Sequence, residues 1–246
     1  MDLNIKNLFI TGTDTGVGKS IFTALLALAF HNEGKKVCIS KPIQTGSPKD
    51  TDLLAELTGN KIPNFNTYSF SLPAAPVVSA KQENKEISIE KIISDIKSLE
   101  EKYDCVIVEG IGGIAVPITE IRDQRSEIRE NSHLPSPISH LYLVADLIKD
   151  LNYPVVIVAS PLLGTLNHSV LTIEFAKQKR LNILGFVISG YNEVSSDPVI
   201  KTSPDVISEI TKIKCLMKVP MVKKMSFESI NLISKSIAFE EINVLT

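Results

Sequence analysis

The sequence predicts an α/β fold: one domain built on a parallel sheet with helices on both faces. Three observations predict it. Short apolar runs alternate with amphipathic segments along the chain, the rhythm of parallel α/β folds. The apolar runs are near-continuous in Val and Ile, as in strands covered on both sides. A glycine-rich turn, "TGTDTGVGKS" from Thr11 to Ser20, joins the first apolar run to the first helical pattern. The 246 residues, 43% of them hydrophobic, suffice for one sizeable core, so residues 1–246 are read as one domain.

Taken in order, "LFIT" is a first strand, and Lys19 to about Glu33 a helix closed by Gly34. "KVCIS" is a second strand. "DTDLLAELTG" opens with acids and ends in Gly59, which marks a short helix. "SIEKIISDIKSLEEKY" carries apolar residues at helical spacing. "CVIVEG", "PVVIVAS" and "ILGFVIS" are buried strands, with the helix "TLNHSVLTIEFAKQKR" between the last two. "LMKVP" is a final strand and "FESINLISKSI" a closing helix. One stretch breaks the rhythm. Residues 122–139 are polar, contain three of the four arginines and include Pro135 and Pro137, a surface insertion at about 120–140.

Composition excludes several classes of function. A net charge of −2 carries no global basic field, so no nucleic-acid partner is expected. No apolar run approaches the ~20 residues that cross a bilayer, so no membrane span is expected. The start, "MDLNIKNLFITG", lacks the basic and long apolar regions of a signal peptide. Cys38, Cys105 and Cys215 stand far apart in apolar settings. They read as reduced thiols, which places the chain in the cytoplasm.

The turn after the first strand ends in Gly18-Lys19-Ser20, as a phosphate-binding loop does. Counting back from Gly18, Thr13 holds the place of the usual first glycine, and Gly12 comes one residue early. Strand before and helix after supply the required context, and the expected fold is P-loop NTPase-like. Thr15, Gly16, Val17, Gly18, Lys19 and Ser20 would cradle phosphates, because first-turn N–H groups lack helical partners and the helix dipole favours anions. Lys19 would reach the β- and γ-phosphates, and Ser20 would hold Mg²⁺. A second strand ends in Glu109 followed by Gly110, Gly112 and Gly113. Ligands bind off the carboxyl ends of strands in open parallel sheets, so Glu109 is a candidate metal carboxylate. Lys41, directly after "KVCIS", could neutralise a transferring phosphoryl group. Asp52 is a second candidate for the metal, with helix capping as its ordinary alternative.

Together, "GTDTGVGKS", "KPIQTG", "YSFSLPAAPVVSA", "VEGIGG" and "LLGTLNHSVLT" resemble dethiobiotin synthetase in order and spacing, from about Leu8 to Asn192 with a weaker tail to about Val222. The extra loop residue is a mark of that family. The resemblance implies an ATP-dependent cyclo-ligase acting on 7,8-diaminopelargonic acid, CO₂ and MgATP through a carbamic–phosphoric anhydride. It implies Lys19 and Lys41 as catalytic groups, with Ser20, Asp52 and Glu109 at the metal. It assigns Thr45 and Gly112 to the substrate. It also implies a homodimer whose sites lie at the subunit interface, with Gly164 and Asn167 lent to the neighbour's substrate carboxylate. Nucleotide contacts would extend to Ser189, Asn192 and Pro220.

Three departures from the family stand out. Gly16 stands where some members carry an acid. Ser189 stands where many carry an Asn that reads adenine, so weak discrimination among triphosphates is expected. The insertion after Pro117 is long. The alternatives on the same fold are an ATP-dependent amidase of the cobyrinic-acid type, whose usual glutaminase domain 246 residues leave no space for, a partitioning-type ATPase switch and a nucleotide-binding paralogue without ligase activity.

Overall fold

The structure is a computed structural model. It describes residues 7–121, 140–222 and 225–237; the polar insertion at 122–139 lies outside the described residues. In chain order the elements are β1 (Asn7–Gly12), α1 (Lys19–Asn32), β2 (Val37–Ser40), β3 (Ile43–Thr45), α2 (Asp50–Leu57), β4 (Asn64–Phe65), β5 (Tyr68–Phe70), α3 (Pro76–Gln82) and α4 (Ile89–Glu100). Next come β6 (Cys105–Glu109), β7 (Pro117–Ile121), β8 (His140–Leu143), α5 (Val144–Leu151), β9 (Val155–Ala159) and α6 (Thr165–Gln178). The chain continues with β10 (Ile183–Tyr191), α7 (Pro198–Thr211), β11 (Cys215–Pro220) and α8 (Phe227–Ser236).

Seven strands form one sheet in the order β11-β10-β9-β1-β6-β2-β4, and every pairing in it is parallel. β1, β6 and β9 are buried almost throughout, as their Val/Ile runs require. One core packs α4, α5, α6 and α7 against one sheet face. The other packs α1, α2 and α8 against the opposite face. The expected α/β architecture is therefore the observed one.

The sequence pattern places no helix at α3, α5 or α7. α7 escapes because Pro204 lies inside it, where proline removes a backbone donor and normally ends a helix. Here Pro204 is buried, and the helix starts with Asp197 capping Val199 N–H and Pro198 in the first turn. The two short pairs β3–β5 and β7–β8 are also absent from the sequence pattern. Ile121 pairs with His140, so the insertion leaves and rejoins the fold at neighbouring points of an antiparallel ribbon.

The strand order matters for function. β1 sits between β9 and β6, and β2 is next to β6. The chain segments that follow these four strands therefore meet at one sheet edge, the carboxyl end where α/β proteins bind ligands.

Candidate active site

The loop between β1 and α1 is built by glycine geometry. Gly18 is the N-cap of α1 at φ 96°, and no side chain caps the helix. Its first-turn N–H groups are thus left for a ligand. A Cβ at Gly18 would also collide with the Ser189 side chain, so the position admits glycine on two counts. Lys19 folds back over the loop, and its Nζ donates to the Asp14 carbonyl at 2.8 Å. The side chain is buried, and burial, joined by the neighbouring Lys41 charge, lowers its pKa to about 8.

Glu109, at the end of β6, is fully buried. Its Oε1 accepts from Ser20 Oγ at 2.9 Å and from Lys41 Nζ at 2.9 Å. Its Oε2 has no hydrogen-bond partner among the described residues. A buried carboxylate oxygen left bare is costly, so this atom points to a missing partner. Lys41, just after β2, also donates to the Gly110 carbonyl at 2.9 Å and pairs with Asp50 Oδ2 at 2.7 Å. Burial pulls its pKa down, but Glu109 and Asp50 outweigh burial and raise it.

The second carboxylate of the cleft is not the expected one. Asp50, not Asp52, lines the cleft and reaches Lys41; Asp52 is exposed and is not among the lining residues. Both lie in the first turn of α2. Residues two apart on a helix point in widely different directions, so only one of them can face Lys41. The sequence carries both acids, but only the path of the loop after β3 selects between them.

These groups line a cleft of about 630 Å³. Thr15, Gly16, Gly18, Lys19 and Ser20 line it from the loop between β1 and α1. Ser20 Oγ, Asp50 and Glu109 make a hard-oxygen donor set. Among the described residues no cluster of three metal-binding side chains occurs. Two carboxylates and a hydroxyl suit Mg²⁺, which keeps several waters and shares substrate phosphates, better than an all-protein cage does.

Comparison with known proteins decides the family. Residues 6–124 and 131–229 match the family described as AAA domain. The ATP-dependent dethiobiotin synthetase BioD of Thermodesulfovibrio yellowstonii is 34% identical over 232 residues, covering 90% of this chain and 91% of the relative. The enzyme of the same name from Aquifex aeolicus is 36% identical over 219 residues, covering 88% and 89%. The chain belongs to the dethiobiotin synthetase family. Among solved structures, a ParA family ATPase from Chlorobium tepidum aligns with TM-score 0.53 at 15% identity, covering 98% of this chain and 97% of that one. The cell division ATPase MinD of Pyrococcus furiosus aligns at 0.52, also at 15% identity, covering 98% and 100%. At that identity the likeness speaks for the P-loop fold alone.

For a dethiobiotin synthetase family member, the rest of the cleft is informative. Thr45 and Gly112 line it. Apolar residues also line it: Leu53 and the run Pro73, Ala74, Ala75 and Pro76, with Val116 beside Gly112. The motif "YSFSLPAAPVVSA" contains that run, but nothing in its composition assigns it to the cleft. Gly46 packs so tightly on Pro73 that an added Cβ would lie 2.8 Å from the proline Cβ, which ties the Thr45 loop to this run.

Other expected residues fall outside the cleft lining. Val17 is buried in the core on the α1 side, so only its backbone is free for a phosphate. Ser189, near the end of β10, is buried directly behind Gly18. Asn192 follows β10, and its carbonyl accepts from Ser195 N–H. Pro220 ends β11 and pairs with Tyr191. Gly164 is the N-cap of α6 at φ 94°, again with no capping side chain, and Asn167 is exposed in the first turn.

Proposed function

We propose that the chain is an ATP-dependent dethiobiotin synthetase, one cyclo-ligase domain over residues 1–246. Its substrates are 7,8-diaminopelargonic acid, CO₂ and ATP. One amine of the diamine adds to CO₂ and forms a carbamate. A carbamate oxygen takes the γ-phosphoryl group of ATP, and ADP leaves. The second amine then attacks the carbamoyl carbon, phosphate leaves and the ureido ring closes. The observation that carries this reading is one cleft that two buried lysines, the glycine-rich loop and a run of apolar residues line together. The lysines and the loop suit triphosphate, and the apolar run suits an alkyl chain.

Phosphoryl transfer needs positioning and charge neutralisation more than covalent help. Lys19 and Lys41 supply positive charge on either side of the transferring group. The first-turn N–H groups of α1 hold the phosphates. Ser20, Asp50 and Glu109 would hold Mg²⁺, which contributes neutralisation of phosphate charge when bound. Pro73 to Pro76 and Val116 keep water from the alkyl chain and orient the diamine toward the lysines.

The proposal includes a cytoplasmic homodimer. The described cysteines are free, which suits a reducing compartment, and no helix among the described residues is long and apolar enough to cross a membrane. Leu162, Leu163 and Leu166 around the start of α6, and Leu171 farther along it, are exposed and suited to burial by a second copy. In such a dimer the uncapped first turn of α6, with Gly164 and Asn167, would receive the substrate carboxylate of the neighbouring site.

The deciding experiment incubates the protein with MgATP, bicarbonate and diaminopelargonate and seeks the cyclic urea by mass. Product that depends on all three supports the ligase. ATP binding without any urea would leave a nucleotide-binding paralogue.

A further inference from the structure

The cleft takes up all three donors of the Lys41 ammonium. An ammonium has three donors. Here each has its acceptor: Asp50 Oδ2 at 2.7 Å, Glu109 Oε1 at 2.9 Å and the Gly110 carbonyl at 2.9 Å. Ser20 Oγ donates to the same Glu109 oxygen at 2.9 Å. Asp50 and Glu109, the two carboxylates suited to a divalent cation, are therefore both held by this one amine, and Ser20 shares the Glu109 oxygen that it binds. In that arrangement Lys41 has no donor to offer a phosphoryl oxygen. Meanwhile Glu109 Oε2 is buried without a partner, so one lysine does not satisfy the acid.

We propose that Lys41 is a displaceable internal counter-cation. Without a divalent cation its ammonium neutralises Asp50 and Glu109; a divalent cation that takes those oxygens releases the ammonium toward the transferring phosphoryl group. The reason is electrostatic. Lys41 and Glu109 are buried, so an ammonium and a divalent cation sharing the Glu109 oxygen at ion-pair distance would repel each other strongly there. Release also frees the donors that phosphoryl transfer needs. Lysine availability is thereby tied to cation arrival, so a triphosphate that comes without its metal meets only Lys19. The inference rests on the reading of Asp50, Glu109 and Ser20 as cation ligands.

Direct titration with Mn²⁺, followed by electron paramagnetic resonance without nucleotide at pH 8, tests it. Lys41→Met leaves both carboxylates without their internal cation. It should bind Mn²⁺ at least ~10-fold more tightly than the native protein, and equal or weaker binding would overturn the proposal. A second measurement uses the native protein alone and does not depend on how the variant folds. Acylation of Lys41 by a small amine reagent, normalised to the exposed Lys91 and read by mass spectrometry, should rise several-fold when Mg²⁺ is added. Unchanged acylation also sinks it. Glu109→Gln separates the two readings. If Glu109→Gln binds Mn²⁺ as well as the native protein does, the ligand assignment itself fails. If it binds weakly while Lys41→Met shows no gain, only the displacement fails.

Discussion

Two helices of this protein start in the same way and face different surroundings. α1 and α6 both begin at a left-handed glycine, Gly18 at φ 96° and Gly164 at φ 94°, and neither has a capping side chain. By backbone alone, both are anion sites. Around α1 the chain places Lys19, Lys41 and Glu109, all buried. Around α6 it places exposed leucines, with Leu163 89% accessible. The contrast teaches that a helix N-terminus offers donors, and that what the tertiary fold gathers around it makes those donors a reaction centre or a docking end. α1 has what phosphoryl transfer needs within one chain. α6 has donors and exposed leucines, which in the proposed dimer would be half of a site.

The largest test of that contrast removes the charge from α1. Lys19→Ala should lower the rate of ATP cleavage in a single turnover by at least ~10²-fold, as loss of a preorganised charge at a transition state does. Retention of more than a tenth of the native rate would reduce α1 to a bare helix end like α6.

A second test compares the two glycines. Gly18→Ala meets both the left-handed φ and the Ser189 side chain. It should destabilise the protein by ~1–3 kcal/mol beyond any cost at Gly164→Ala, whose Cβ would find only His168 at 4.0 Å. The melting temperature of Gly18→Ala should recover in part when Ser189→Gly is added. Equal melting temperatures for the two single alanine variants would remove the packing difference.

The third uses pH. The Lys19 pKa of about 8 means that the free protein is charged there only below that value. Bound phosphate favours the ammonium, so above pH 8 ATP binding must bring a proton. Affinity should then fall by up to ~10-fold for each pH unit above 8, with proton uptake seen by calorimetry in buffers of different ionisation heat. Lys19→Met should flatten this dependence, and a native profile already flat from pH 7 to 10 would contradict the shift.

The smallest effect belongs to α6. Asn167→Ala should raise the diamine KM about 5-fold, the worth of one hydrogen bond of ~1 kcal/mol, with ATP binding unchanged. Mixing these subunits with Lys19→Ala subunits sharpens the result. In a hybrid dimer one site carries both defects and the other none, so at diamine well below the native KM activity should exceed that of either parent. No recovery after verified subunit exchange, or a fully active monomer in sedimentation, would end the shared-site reading.

Local signals and tertiary needs divide the molecule in a regular way. The strands β1, β6, β9 and β10 and the helices α1, α4 and α6 are legible in the sequence because burial on both faces and amphipathic spacing are local signals. α7 is not legible, since Pro204 obeys a tertiary packing need against its local preference. Lys19, Ser20 and Glu109 are legible because strand ends next to glycines are where α/β sheets bind ligands. Asp50 is obscured by Asp52, two residues away on the same helix turn.

The sequence by itself determined the loop from Gly12 to Ser20, the strand-end positions of Lys41 and Glu109 and the family to which they belong. Each depends on residue types at fixed short spacing, and local geometry follows from spacing. Only the tertiary structure decided that Asp50 is the acid on Lys41, that Ser189 backs Gly18 and that Pro73 to Pro76 line the same cleft as the lysines. Those relations join segments far apart in the chain. They are set by strand order and by the packing of loops on one sheet edge, which no short window of sequence contains.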